Sequence, residues 1–207
     1  GAAAILAEKD LSDLGVTCAV VKNSRKALAL VSATFYGHPE KKFCLIGVTG
    51  TNGKTTTTYL IKSVLEAMGK KVGLIGTNQN MIGTEIIPSK RTTPDSLELM
   101  RLFSKMAEKK VDYAIMEVSS HSLVLDRVTA CTFDVGAFTN ITQDHLDFHK
   151  TMEDYLKAKG ILFQISKNGA INADDPAAKQ LLALSTCEKM LTYGVENECD
   201  MRASNVE

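Results

Sequence analysis

From residue 43 onward the apolar and polar positions alternate in blocks that read as strand, helix, strand. Residues 43–48 form a continuous apolar run, the pattern of a strand buried on both faces. A helical period follows over 54–68 and stops at Gly69. Residues 71–76 predict the next buried strand, and 81–87 an excursion of extended chain. Pro94-Asp95-Ser96 opens a helix that runs through Met106. Strands are predicted at 113–118 and 133–138, a helix at 151–165, a short strand at 169–171, a helix at 176–184 and a last strand at 190–193. This order predicts an α/β fold, a mainly parallel sheet with helices on both faces. Right-handed crossovers then bring the strand-end loops to one edge, where ligands bind in such sheets.

The first forty residues are organised differently. Residues 3–7 and 18–21 read as short strands, and Ser24 as the cap of a helix carrying Leu28, Leu30, Val31 and Phe35. Gly37, His38 and Pro39 end it, and Glu40-Lys41-Lys42 forms a polar joint. A domain boundary is expected there: residues 1–42 as a partial N-terminal α/β domain, too small to stand alone, and residues 43–207 as a central domain. The chain starts at Gly1 without a methionine, and no terminator is visible before Glu207, so a piece of a longer protein is the expectation.

Composition narrows the class. The 24 basic and 24 acidic side chains cancel, which gives no support to general nucleic-acid binding. No apolar run approaches the length of a membrane span, and the short apolar start reads as a strand, not a leader. The five cysteines are scattered without a CxxC pair, so reduced thiols in a cytoplasmic protein are expected.

The loop between the first central strand and its helix carries the chemistry. Gly50-Thr51-Asn52-Gly53-Lys54-Thr55-Thr56 follows a buried strand and opens a helix, the context of an ATP-binding phosphate loop. Glycines let backbone N–H groups turn toward phosphate oxygens, and the helix start adds the positive end of its dipole. Lys54 can bridge the terminal phosphates, and the Thr55 hydroxyl can sit on Mg²⁺. The strict pattern wants glycine where Val48 stands; here glycines occur at 47 and 50.

Four further segments accompany the loop: Arg91-Thr92-Thr93-Pro94, Met116-Glu117-Val118-Ser119-Ser120-His121, Thr139-Asn140-Ile141-Thr142-Gln143-Asp144-His145-Leu146-Asp147 and Tyr155-Leu156-Lys157-Ala158-Lys159. With the shifted glycine of the loop, they resemble the Mur ligases, the ATP-dependent family that builds the peptide of bacterial cell-wall precursors. The Glu-Val-Ser-Ser-His string and the Thr-Thr pair most resemble the MurE type. The resemblance covers residues 43–207 as the family's central ATPase domain and 1–42 as the tail of its UDP-binding domain; the C-terminal amino-acid-binding domain lies outside the chain.

That resemblance implies a ligase forming an amide bond. ATP phosphorylates the terminal carboxylate of UDP-N-acetylmuramoyl-L-alanyl-D-glutamate, and a diamino acid (L-lysine or meso-diaminopimelate) attacks the acyl phosphate. The piece alone is expected to be inactive. Other Mur ligases and folylpolyglutamate synthetase share loop and fold and stand as alternatives within the same chemistry, with a non-catalytic ATP-binding module further off.

Each motif residue has a plain reading beside the one the resemblance implies. Glu117, at a strand end, is a cap or ion-pair partner, or a Mg²⁺ ligand. His145 is a hydrogen-bonded loop histidine, or holds Mg²⁺. His145 and His149 are four apart, as in zinc sites, but no third soft ligand is near in sequence; His149 receives no role. Asp144 and Asp147 read as supporting or capping residues. Lys159 by itself is a solvated helix lysine; the resemblance makes it a lysine carbamylated by CO₂, a step that needs a neutral amine. Thr92, Thr93, Ser119 and Arg127 are caps and surface charge, or hold the UDP-sugar dipeptide. Leu125 stands where some relatives have a glutamine. Asn172 is a turn initiator, or reads the adenine edge.

Overall fold

A computed structural model of the chain describes residues 2–143 and 149–205. Two short strands, β1 (Ala4–Ala7) and β2 (Thr17–Val20), pair in parallel as a sheet of their own and lead into α1 (Ser24–Phe35). The rest builds one large sheet from β3 (Cys44–Thr49), β4 (Val72–Ile75), β5 (Gln79–Ile82), β6 (Glu85–Pro88), β7 (Tyr113–Glu117), β8 (Phe133–Phe138), β9 (Ser166–Asn172), β10 (Lys189–Gly194) and β11 (Met201–Arg202). Between the strands run α2 (Lys54–Ala67), α3 (Ser96–Glu108), α4 (Ser120–Val124), α5 (Met152–Gln164) and α6 (Ala178–Leu184).

The strand order is β11-β10-β9-β8-β3-β7-β4-β5-β6. All pairs are parallel except β4 with β5 and β5 with β6. The extended excursion expected over 81–87 is therefore a hairpin that finishes one side of the sheet. Gly83, at φ 61, supplies the left-handed turn residue.

Alternation along β3 divides the core. Ile46 and Val48 face α2 and pack with Val72, Ile115, Ile61 and Leu65. Leu45 and Gly47 face the opposite side, where α3, α5 and α6 bring Phe103, Met106, Leu162, Phe163 and Leu181. Gly47 is required there, because a Cβ would meet the Phe133 ring at 2.7–2.8 Å. The sheet is thus covered on both faces, as its near-continuous apolar strands demand.

Local expectations at the N-terminal end need two corrections. Asn23, not Ser24, caps α1: its side chain accepts from Lys26 N at 2.9 Å. Ser24 is the first helical residue, and its N–H and hydroxyl both donate to Glu8 Oε1, at 2.9 and 2.8 Å. In the polar joint 40–42, Lys41 and Lys42 are exposed but the charge of Glu40 does not face water. Glu40 is buried in a 3₁₀ turn, Pro39–Lys41, that packs against α3, with His38 Nδ1 3.0 Å from Glu40 Oε1. The proline and the left-handed His38 fold the carboxylate inward, where a charge-based reading of sequence places it in water.

All five cysteines are free thiols. Burial and the neighbouring Asp134 push Cys44 up to about 11, and burial pushes Cys131 up further, so both are poor nucleophiles at neutral pH. No described helix is long and apolar enough to cross a membrane.

Gly47→Ala is expected to cost about 1–3 kcal/mol, since its methyl group must displace a ring held in the sheet core. Urea unfolding measures this; a midpoint equal to that of the parent chain would mean the core yields freely around β3.

Candidate functional site

The C-terminal ends of β3, β7, β4 and β8 lie side by side, and the polar residues of the site hang from them. β3 ends at Thr49, and the chain turns through Gly50–Gly53 into α2. Gly53 adopts φ 81 and offers no capping side chain, so the first N–H groups of α2 point at the loop mouth with the helix dipole behind them. The end of β8 fixes the loop's shape. Thr51 N donates to Asn140 O at 2.8 Å, Asn52 N to Asn140 Oδ1 at 2.9 Å, and Thr139 Oγ1 to Asn52 O at 2.7 Å. A Cβ on Gly50 would run into Thr139 Oγ1, so glycine is dictated there. Lys54 Nζ donates to Gly50 O and Thr51 O, both at 2.9 Å, which lays the ammonium across the loop. Thr56 sits exposed in the first turn of α2.

Beside the loop, Glu117 closes β7 at 1% exposure. Its carboxylate accepts from Thr55 Oγ1, from Thr77 N and from Thr77 Oγ1, each at 2.9 Å. A buried carboxylate needs such donors, because desolvation of an unpaired charge is costly. Thr77 Oγ1 also lies 3.0 Å from Thr92 Oγ1, which carries the contact to the next corner. There Thr93 Oγ1 donates to Glu117 O at 2.9 Å and accepts from Ser119 N at 3.0 Å. Ser119 caps α4 through Ser122 N, and Arg127 Nη1 donates to Thr93 O at 3.0 Å. Burial first, then Arg91, hold the Arg127 guanidinium below its ordinary value. Leu125 is the C-terminal cap residue of α4.

Lys159 is not the solvated helix lysine that composition suggests. It is 1% exposed on α5, with Nζ 4.3 Å from the centre of the Tyr155 ring. Tyr155 in turn places its hydroxyl 3.2 Å from Thr51 Oγ1, so lysine, ring and phosphate loop are in contact. His149 is buried with Nε2 2.7 Å from Ser120 Oγ, and its ring lies against Tyr155 at 4.9 Å. Asp144, His145 and Asp147 lie outside the described residues.

Asn172 is placed as a turn residue. Its Oδ1 accepts from Asp174 N at 3.0 Å, and its Nδ2 donates to Thr139 O at 2.9 Å. It also borders a cavity of about 470 Å³ with Asp174, Tyr193, Val195 and Arg202.

The structure therefore brings Gly50–Thr55, Glu117, Thr92, Thr93, Ser119, Arg127 and Lys159 into one cluster, and joins Asn172 to it through Thr139. Sequence reasoning missed Thr77, and gave no role to Asn140 and Tyr155 although both stand in its motif segments. Tyr155 had a signal: it stands one helical turn before Lys159, on the same stripe as Leu162.

A strand, glycine loop and helix with a buried acid at the end of the adjacent strand is the arrangement of the P-loop nucleotide-binding class. The Mur ligase middle domain is matched over residues 48–207, and the chain belongs to the Mur ligase family. It is 53% identical, over its whole length, to the UDP-N-acetylmuramoyl-L-alanyl-D-glutamate--2,6-diaminopimelate ligase of Clostridium botulinum, of which it covers 43%. Among solved structures, a ligase of the same name superposes with TM-score 0.82 at 29% identity, over 94% of this chain and 41% of that one. FolC of E. coli, solved with ADP, superposes with TM-score 0.66 at 20% identity, over 84% of this chain and 47% of that one, which shows a shared fold. The chain spans less than half the length of these relatives.

Glu117→Gln is expected to lower stability by about 1–3 kcal/mol, because the amide nitrogen cannot accept one of the three donors. Chemical denaturation measures this; an unchanged free energy would mean that the donors find other partners.

Proposed function

We propose that the chain is the ATP-binding portion of a cytoplasmic ligase that joins a diamino acid, 2,6-diaminopimelate, to UDP-N-acetylmuramoyl-L-alanyl-D-glutamate. Residues 1–42 would be the end of the domain that receives the UDP group, and 43–207 the domain that activates the carboxylate. The names of the relatives support the substrates, and their greater length supports a further domain for the incoming amine. The single observation that carries the reading is the bond line Thr55–Glu117–Thr77–Thr92, which sets a phosphate loop and a carboxylate-binding corner a few ångströms apart.

The donor set fits ATP and Mg²⁺. Thr55 and Glu117 supply hard oxygen atoms at the loop mouth; His145 and a carbamylated Lys159 would serve a second ion. Mg²⁺ held by Thr55 and Glu117 would supply positive charge against the phosphates during phosphoryl transfer. The chain's own residues do the rest. Backbone N–H groups of 50–56 bind the phosphates, and Lys54 swings from Gly50 O and Thr51 O to the terminal ones. Thr92, Thr93, Ser119 and Arg127 orient the dipeptide so that its terminal carboxylate faces the γ-phosphorus. Asn172 would border the base.

Lys54→Ala is expected to abolish UDP-dipeptide-dependent ADP release in the full-length protein while its circular dichroism stays unchanged. Normal turnover would remove the phosphate-loop assignment.

The burial of Lys159 suits a carbamate better than a phosphate-binding cation reaching in from solvent. Lys159→Arg should then fail as badly as Lys159→Ala, each losing about 10²–10³ in kcat. Acetate should partly restore the alanine variant by filling the anion position. An arginine variant of full activity would exclude the carbamate.

A further inference from the structure

Among the described residues, His149 is a buried histidine of the site to which neither the loop nor the dipeptide corner gives a task. It is 5% exposed, and two kinds of contact hold it. Nε2 lies 2.7 Å from Ser120 Oγ, and the imidazole face lies against the Tyr155 ring, 4.9 Å between centres and 32° between planes. His121 packs edge-on against its ring at 5.5 Å. A hydrogen bond fixes where a ring nitrogen points, and a stack fixes the plane; together they leave the imidazole little freedom.

The Ser120 and Tyr155 contacts lead to different parts of the site. Ser120 follows Ser119, whose N–H donates to Thr93, the threonine bonded to Glu117 O. Tyr155 touches Thr51 Oγ1 through its hydroxyl and Lys159 Nζ through its ring face. His149 also stands two residues before Thr151, the N-cap of α5, whose side chain accepts from Asp154 N. Pinning His149 to Ser120 therefore pins the first turn of α5 to the α4 corner. Tyr155 and Lys159 follow along that helix.

We propose that His149 is a positioning residue that sets the distance between the carboxylate-holding corner at Thr93 and Ser119 and the phosphoryl side at Thr51 and Lys159. The proposal rests on the ligase reading above, in which a carboxylate oxygen must meet a phosphorus atom held by the opposite wall. Misplacement by about 1 Å costs on the order of 10²-fold in such a step, so a rigid strut between the walls is worth its burial.

The test uses the full-length protein with Ser120→Ala, which removes the bond alone, and His149→Phe, which keeps a ring on Tyr155 and removes the bond from the other side. Each should lower kcat about ten-fold with KM for ATP within about two-fold, and the double variant should fall no further, because both cut one joint. Thermal melting is followed in parallel: a residue that only fills space lowers the melting temperature and leaves kcat per folded molecule intact. Unchanged kcat in either single variant, or multiplying losses in the double, overturns the proposal. A second measurement does not need the reaction. In protein labelled with ¹⁵N-histidine, the His149 ring resonances, identified by their loss in His149→Phe, should shift when Mg²⁺ and adenylyl imidodiphosphate fill the phosphate loop. Resonances that stay fixed at saturating nucleotide overturn the linkage. A parent protein that releases no ADP with UDP-dipeptide and diaminopimelate overturns the ligase reading instead, and the nucleotide-induced shift then decides the fate of the strut.

Discussion

The buried carboxylate of Glu117 is the constraint around which the site is arranged. A carboxyl group at 1% exposure is accommodated only if its oxygens are met, and three hydrogen bonds from two different segments meet them. Thr55 is drawn in from the first turn of α2, and Thr77 from the chain after β4. Gly76 must lack a side chain for this to happen, since a Cβ there would lie 2.5 Å from Glu117 Oε1. The backbone oxygen of the same residue takes the Thr93 hydroxyl. One acid thus ties together four strand-end segments that the sequence keeps far apart.

Much of the fold was legible because it follows from period and punctuation. The buried strands around β3, β7 and β8 are continuous apolar runs, and Gly69, at φ 76, ends the turn after α2 as its position in sequence suggests. What escaped depends on neighbours. A Ser beside an Asn can each cap a helix; Glu8, across the small sheet, takes Ser24 and leaves the cap to Asn23. The run of charges at 40–42 looks solvated until α3 covers Glu40. α4, five residues long, is too short to show a period at all.

The site divides in the same way. The phosphate loop was readable from its own residues because backbone geometry demands them: Gly50 by its approach to Thr139, Gly53 by its positive φ. The resemblance supplied the named roles of Thr93, Ser119 and Lys159; in the structure Thr93 bonds Glu117 O and Ser119 N, and Lys159 reaches Thr51 through Tyr155. The burial of Lys159 was invisible to composition, since α5 buries residues around most of its girth and a charged residue can hide on either side. Ser119 and Asn172 carry ordinary capping and turn bonds as well, so at these positions a plain structural role and a ligand role are compatible.

The placement of β3 at the middle of the sheet also bears on how the chain reaches this state. Ile46 pairs with Ile115 on one side and with Val135 on the other, so the central strand has no partner close to it in sequence. During synthesis it leaves the ribosome with both faces and both ladder edges unmet; β7 begins about sixty-five residues after it ends, and β8 about twenty later. Before β7 emerges, the strands made after it are β4, its neighbour but one, and the β5–β6 hairpin, which can close locally and early. β6 runs in the same direction as β3, because two antiparallel pairings separate it from β4, but Pro88 at its end, without an N–H, makes it a poorer template for a new neighbour. That proline helps keep the sheet's last position from being taken by an unfinished centre.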